Sequence, residues 1–438
     1  MVQRKVSKRI APPVFFAVGL CIAAATATSF DYAGRFVART QSFEGFGQRF
    51  ETMPIAAPRD LTAEDIQAAE IAWVYLEQNF RTETGLVDSV AGFPSTTLWD
   101  QGSYLLGLVS AYRLGIVERA TFLARVERLL SALETLPLVE DRLPNKTYDT
   151  RTLEMTDYNN NPVPGGIGWS ALDISRLLAA LRILERNFPE KGPKINKILA
   201  RWSLDDLSRN GELISGDFTN QEIEYLQEGR IGYEQYGARA AAMWGIDVSQ
   251  AISARRIVDW HSVNDVDVPI DLRHFSSFRA ITPTLSEPYF LLGLELGFDH
   301  ESHVLASRVY LAQEARFRAS GEITMVSEDH VNQAPHFLYS SVYSNGQPWA
   351  VVTEQGEFYP ELRTVSTKSA FAWDALFASE YTGLVRAQLS GLRHIEKGWA
   401  AGYYEADGTP NDVFTLNTNA VILEAIHFQS RGPLWQMN

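Results

Sequence analysis

A helical segment that is apolar or small-residued on several faces belongs inside a fold, whereas one with a single wet face belongs outside it. This chain alternates the two kinds along most of its 438 residues. The spacing predicts helices over 62–80, 97–114, 119–134, 168–187, 191–203, 231–245, 248–259, 285–297, 300–318, 367–379, 381–394 and 414–428. The even-numbered segments are of the inner kind, as in "GARAAAMWG" and "TNAVILEAIHF". The odd-numbered ones are one-sided. In the first, Ile66, Ala69, Trp73, Leu76 and Phe80 recur at helical spacing, and Thr62 with Asp65 resembles a capping box. Six inner–outer pairs predict an all-α fold, an (α/α)6 barrel of six helical hairpins over 61–438. Two stacked helical bundles would show the same periodicity.

The N-terminus reads as an export signal over residues 1–27: basic "MVQRKVSKR", apolar "PPVFFAVGLCIAAA", then a small-x-small "ATA". An uncleaved anchor differs from it by only a few apolar residues. Residues 28–60 lack a period and are expected to form an N-terminal arm. Cys21, the one cysteine, falls inside the signal, so the mature chain has no disulfide, thiolate metal site or Cys nucleophile. The formal net charge of −14 comes without a basic stripe, which argues against nucleic acid as a partner. Export of the chain would place it in the periplasm or outside the cell.

The long connections all run into the N-termini of inner helices, so a barrel would gather them at one end. They are rich in Tyr, Asn and Asp, and loops of this length inside a compact domain are usually functional. One, around "PWAVVTEQGEFY", also suggests a short β-hairpin.

Several acids stand at this expected mouth. Asp100 and Asp173 each follow an N-cap residue, Thr97 and Ser170, by three positions, which suits helix initiation. Asp100 also has Trp99, Gln101 and Tyr104 beside it, a set suited to stacking on and hydrogen bonding to a sugar. Glu234 lies between Tyr233 and Tyr236, where lost solvation would raise its pKa and suit it to donate a proton. An ion pair with Arg230 or Arg239 is the structural alternative. Glu287, before Pro288 and Tyr289, is placed at a helix start. Two loop constellations, Asp157 with Tyr158 and Asn159–Asn161, and Glu328 with Asp329, His330 and His336, resemble oligosaccharide contacts as well as ordinary polar loops. Trp169 and Tyr289 complete the aromatic candidates for substrate binding.

The sequence points to no cofactor and no metal. His300 and His303 lack a third ligand, and "SEDHV" lacks the spacing of a calcium loop. No nucleophile elbow, phosphate-binding loop or dinucleotide fingerprint is present. Enzymes built on a carboxylate pair have no linear motif, so these absences do not touch them.

Taken together, "TTLWDQGSYLLGLVSAYRLGIV", "PGGIGWSALDISRLLAAL", "EGRIGYEQYGARAAAMWG" and "DVFTLNTNAVILEAI" resemble the bacterial family called domain of unknown function 3131, over roughly Leu61 to His427. That family is similar to six-hairpin (α/α)6-barrel glycoside hydrolases, the endo-β-1,2-glucanases and the glucanase-like part of cyclic β-1,2-glucan synthases among them. The resemblance implies a periplasmic or secreted enzyme that cleaves or transfers a β-glucan, with an inner-helix Glu as acid and an Asp or Glu elsewhere as base. Glu234 is the match for that acid. Asp100, Asp157 and Asp329 are the candidate bases, and Trp99, Tyr104, Tyr158, Tyr233 and Tyr236 the expected sugar platform. A non-catalytic glycan-binding or envelope-assembly protein is the first rival. A polysaccharide lyase using His330 or Tyr343 to abstract a proton is the second.

Overall fold

The computed structural model describes residues 50–219, 222–273 and 280–436. The chain divides into two compact units, Met1–Glu51 and Thr52–Asn438, and only residues 50–51 of the first are described. The expected signal over 1–27 and most of the arm therefore lie outside the described residues. Within the second unit the helices are α1 (Ala63–Gln78), α2 (Leu98–Arg113), α3 (Arg119–Thr135), α4 (Ala171–Asn187), α5 (Gly192–Leu199), α6 (Tyr233–Ala242), α7 (Glu287–Leu291), α8 (His300–Ser320), α9 (Thr367–Phe377), α10 (Glu380–Gln388) and α11 (Leu416–Arg431).

Six of these follow one another in a cycle. Helix α2 packs on α4, α4 on α6, α6 on α7, α7 on α9, α9 on α11, and α11 returns to α2. They are the segments whose sequence has no wet face, and Leu105, Leu106, Leu178, Leu181, Leu291, Trp373, Val421 and Ile422 are buried along them. Each such side chain contributes about 1.5–3 kcal/mol on leaving water. Small residues set the spacing. A Cβ on Gly102 of α2 would stand 3.0 Å from the Leu177 nitrogen of α4, and one on Gly107 would stand 3.1 Å from the Ala420 Cβ of α11. Helix α2 can therefore touch both neighbours closely. On the outer side, α1 starts with the full capping box from Thr62 and Asp65, and Ala69, Trp73 and Leu76 form its buried face.

The expected helix over 248–259 does not form. Its place is taken by a short 3-10 turn, Ala254–Arg256, and an antiparallel hairpin, Val258–Val263 with Val266–Asp271, which packs on α8. The cause is local. Val263 pairs with Val266 across Asn264 and Asp265, which both have positive φ (49° and 62°). Asn and Asp tolerate that region, and two such residues make the turn that matches strand twist. The fold is thus predominantly helical with substantial strand, not all-α. Much of that strand sits in the connections before inner helices: Glu212–Thr219 pairs with Glu222–Gln227, and Glu328–His330 with Phe337–Ser340, which pairs in turn with Val351–Val352. The suggested hairpin near residue 350 is small, a Val352–Phe358 bridge beside the Val351–Val352 strand.

Helix α7 widens into a π turn over Leu292–Leu296. The carbonyls of Leu294 and Glu295 then accept from the Leu434 and Trp435 N–H groups of the C-terminal segment (3.0 and 2.8 Å). Widened turns of this kind occur often at functional sites. Among the described residues, no helix is long and apolar enough to cross a membrane.

Candidate active site

The N-terminal ends of the inner helices bring acids, aromatics and two buried cations together. Thr97 caps α2 and Ser170 caps α4, and each hydroxyl accepts the backbone N–H three residues on, that of Asp100 and Asp173. The two carboxyls therefore occupy the same turn position on adjacent inner helices, and both are half-buried. Their surroundings differ. Asp100 Oδ2 accepts from Ser89 Oγ (2.5 Å) and Thr97 Oγ1 (3.0 Å), and the Arg176 cation also favours its ionised form. Burial outweighs these and raises its pKa. Asp173 has the carboxylates of Glu228 and Asp100 beside it, and burial with this repulsion pushes its carboxyl well above the usual range. Glu228 itself is spent on the helix start, accepting from Ser170 Oγ (2.8 Å) and the Ala171 and Leu172 N–H groups.

Next to Asp100 on α2 is Trp99, half-buried, with Tyr233 edge-on (5.4 Å), Tyr236 tilted (5.7 Å) and the Arg176 guanidinium 4.7 Å from the ring centre. Arg176 is fully buried. It donates to Ser103 Oγ (3.0 Å), the Tyr236 hydroxyl (3.1 Å) and Glu295 Oε1 (2.8 Å), and lies 3.6 Å from Glu424. The π turn of α7 carries Glu295 to this point, where Oε2 also accepts from Tyr236 (2.6 Å). Burial and the neighbouring Glu295 push the Glu424 carboxyl well up.

A second cation, Lys368 at the start of α9, is buried against Glu287 and lies 3.5 Å from Asp329 Oδ1. Burial pushes Asp329 up to about 6 and Glu328 to about 7, and in both the Lys368 charge opposes the rise. Burial lowers the neighbouring His330 to about 4.

Most other expected site residues are buried or bound to the protein itself. Glu234 is 3 % exposed, and both its oxygens are engaged. Arg273 donates to Oε2 (2.7 Å) and Gln227 to Oε1 (3.0 Å), while burial raises its pKa to about 7. The expected ion pair exists, with Arg273 in place of Arg230 or Arg239. Asp157 is half-buried and closes its own turn by accepting from the Asn159 and Asn161 N–H groups (both 2.9 Å). Tyr104, Trp169, Tyr236 and Tyr289 are fully buried and offer no face to a ligand. Gln101 is buried too, donating to Val87 O (2.8 Å) and Thr96 Oγ1 (2.7 Å), so it ties down the preceding loop. Glu287 is 1 % exposed and bound to Lys368 and Asn417. Tyr158 is 65 % exposed, in the turn that Asp157 closes with Asn159 and Asn161. Of the two lyase candidates, Tyr343 lies tilted against His261 (4.5 Å) and His330 lies edge-on to Phe337 (4.9 Å). His303 Nε2 bonds the Met53 carbonyl (2.7 Å), a structural role.

Sequence reasoning left out Arg176, Lys368, Glu295, Glu424 and Asn417, and read Asp173 as a cap. The signal for four of them was present: a charged residue inside a helix otherwise apolar on every face. Such residues are almost never fully buried unless paired.

Solved structures share this fold. An endo-β-1,2-glucanase of Chitinophaga pinensis, in complex with sophorotriose and glucose, superimposes with a TM-score of 0.60 at 12% identity, covering 86% of this chain and 94% of that one. A Bacteroides caccae protein assigned as a glucoamylase gives 0.60 at 15%, covering 85% and 94%. The endo-β-1,2-glucanase of Talaromyces funiculosus, complexed with sophorose, gives 0.53 at 12%, covering 83% and 84%. No curated protein matches the chain in sequence. The model of a family described as a protein of unknown function, DUF3131, matches residues 67–432, and the chain belongs to that family.

Proposed function

We propose that the chain is an exported glycoside hydrolase that cleaves a β-linked glucan, with Asp173 as general acid and Asp100 as general base. The observation that carries this reading is the pair itself. Two carboxyls at equivalent positions on neighbouring inner helices, above an aromatic floor, are pushed to different proton affinities. Such a separation is how two like groups take the acid and base roles. Asp173, holding its proton, would donate it to the glycosidic oxygen as the bond to the anomeric carbon breaks. Asp100, ionised, would take a proton from the water that attacks that carbon. Trp99 and Tyr233, both half-buried, and the exposed Tyr158 would carry the sugar rings.

The cyclic order of the inner helices supports an (α/α)6 barrel in which a β-hairpin stands in for one outer helix. Shared fold with endo-β-1,2-glucanases makes β-1,2-glucan the first polymer to try. The basic and apolar N-terminus supports a periplasmic or secreted location. This reading moves the acid from Glu234, whose oxygens are committed to Arg273 and Gln227, to the half-exposed Asp173. The test is product analysis on β-1,2-, β-1,3-, β-1,4- and mixed-linkage glucans. Oligosaccharide release by the wild type, abolished in a folded Asp173→Asn, supports the assignment. Release that survives it sinks Asp173 as the acid. Binding without release would favour a glycan-binding role, and unsaturated products absorbing in the ultraviolet would favour a lyase.

A further inference from the structure

The acid–base mechanism makes no use of the arginine that stands against its aromatic platform. Arg176 lies on α4, one turn after Asp173, and is fully buried. Its nitrogens meet four other inner helices. Nε donates to Ser103 Oγ of α2 (3.0 Å), Nη1 to the Tyr236 hydroxyl of α6 (3.1 Å) and to Glu295 of α7 (2.8 Å), and Nη2 stands 3.6 Å from Glu424 of α11. A guanidinium is planar and its N–H groups point outward in that plane, so bonds at the edge leave its faces free. The central carbon lies over the Trp99 ring, 4.7 Å from the centroid and inside the about 6 Å reach of a cation–π contact. The backbone of Trp99 belongs to the same net, because Ser103 Oγ also donates to its carbonyl (3.1 Å). Gly102 clears the path between the helices: a Cβ there would stand 3.0 Å from Arg176 Cγ. The π turn of α7 carries the Glu295 anchor, and Leu434 and Trp435 take up the carbonyls of that turn.

We propose that Arg176 is a positioning residue that holds the Trp99 ring, and with it the sugar stacked there, in register with the two acids. The inference rests on the reading above for the sugar at Trp99, and on the contacts just given for the placement of the ring. Trp99 immediately precedes Asp100 in α2, and Asp173 precedes Arg176 by one turn in α4. A ring fixed on the guanidinium is therefore fixed relative to both carboxyls. An unsupported tryptophan in a first helical turn would exchange between rotamers and lose that freedom each time a ligand binds. Only part of this work is electrostatic. A lysine at the same place would bring a cation to Glu295, but as a point charge on a flexible stem it offers no flat face to the ring. Charge and shape can thus be separated by one substitution.

The test watches the ring directly, by fluorine-19 NMR of the full chain carrying fluorotryptophan, the Trp99 signal being identified by its loss in Trp99→Phe. The wild type is expected to give one narrow Trp99 signal. A doubled or exchange-broadened signal there overturns the proposal without any variant, so a failure of Arg176→Lys to fold does not shelter it. In a folded Arg176→Lys the Trp99 signal is expected to move and to broaden or split, while the other tryptophan signals keep their places. KM for the cleaved glucan should then rise by about five- to tenfold, with kcat within about twofold of the wild type. A Trp99 signal that stays narrow and unmoved in that variant overturns the proposal, because a lysine charge then suffices. A signal that broadens while KM and kcat both stay put removes the sugar from Trp99, and so retires that part of the proposed function while the contact between ring and cation stands.

Discussion

Asp173 and Glu234 look alike in sequence, each an acid in the first turn of an inner helix, and the structure separates them. Both are raised in pKa by burial. Glu234 is 3 % exposed and faces Arg273, itself held by Asp271 (2.6 Å), so its charge is balanced by a cation that holds its oxygen. Asp173 is half-exposed, and the charges that act on it most strongly are the carboxylates of Glu228 and Asp100. One acid is fastened into the wall and the other is available to a ligand with a proton on it. Helix position alone does not make a catalytic acid; what lies across from the carboxyl decides.

The largest expected effect breaks this comparison most sharply. Asp173→Asn should cost about 10²–10⁴ in kcat, the range of general acid catalysis, with the melting temperature little changed. Glu234→Gln should do the reverse. Activity persists, and stability falls by about 1–3 kcal/mol in denaturant titration because a buried charged hydrogen bond is lost. Equal losses of activity in the two variants would erase the distinction.

The buried centre gives the next effect. Arg176→Met leaves Glu295 and Glu424 without their cation, and breaking a buried pair from one side costs about 3–5 kcal/mol. Stability within about 1 kcal/mol of the wild type would mean that those two acids simply hold protons instead.

The dependence of stability on pH sharpens the same contrast. Glu234 and Glu328 both have folded pKa values near 7, above the ordinary carboxylate value of 4.5. The native state therefore binds these protons more tightly than the unfolded chain. Their stabilisation is complete below about pH 4.5 and is lost as pH rises towards 7, by on the order of 1–3 kcal/mol for each group. Glu234→Gln should flatten its share of that slope, whereas Tyr158→Ala should leave the slope untouched. The smallest effect is that of Tyr158→Ala on substrate: a few-fold rise in KM with kcat nearly unchanged, in line with about 1 kcal/mol from one exposed stacking face.

Helix existence was legible because burial imposes periodicity. All six inner segments, and the Thr62, Thr97 and Ser170 caps, are where the sequence places them. The missing outer helix was misread because its backbone is drawn to distant partners, the Gln250 and Ala251 N–H groups to Gly211 O and that of Ala254 to Glu301, and the hairpin begins at Val258, which helical spacing does not score. The candidate site was harder to read. Tyr104, Trp169 and Tyr289 have the composition of a sugar platform, yet packing turns them into core, Tyr104 and Tyr289 on inner helices and Trp169 on the Gly168–Trp169 strand against Tyr225. Lys368 and Arg176 went unnoticed because their partners, Glu287 and Glu295, come from a helix far along the chain.

The most direct measurement is product release from β-1,2-glucan and its β-linked relatives by the wild type, Asp173→Asn and Glu234→Gln, each shown to be folded. The account predicts oligosaccharides from the wild type and from Glu234→Gln, and none from Asp173→Asn. Release by Asp173→Asn together with its loss in Glu234→Gln would contradict it and return the acid to the pair with Arg273.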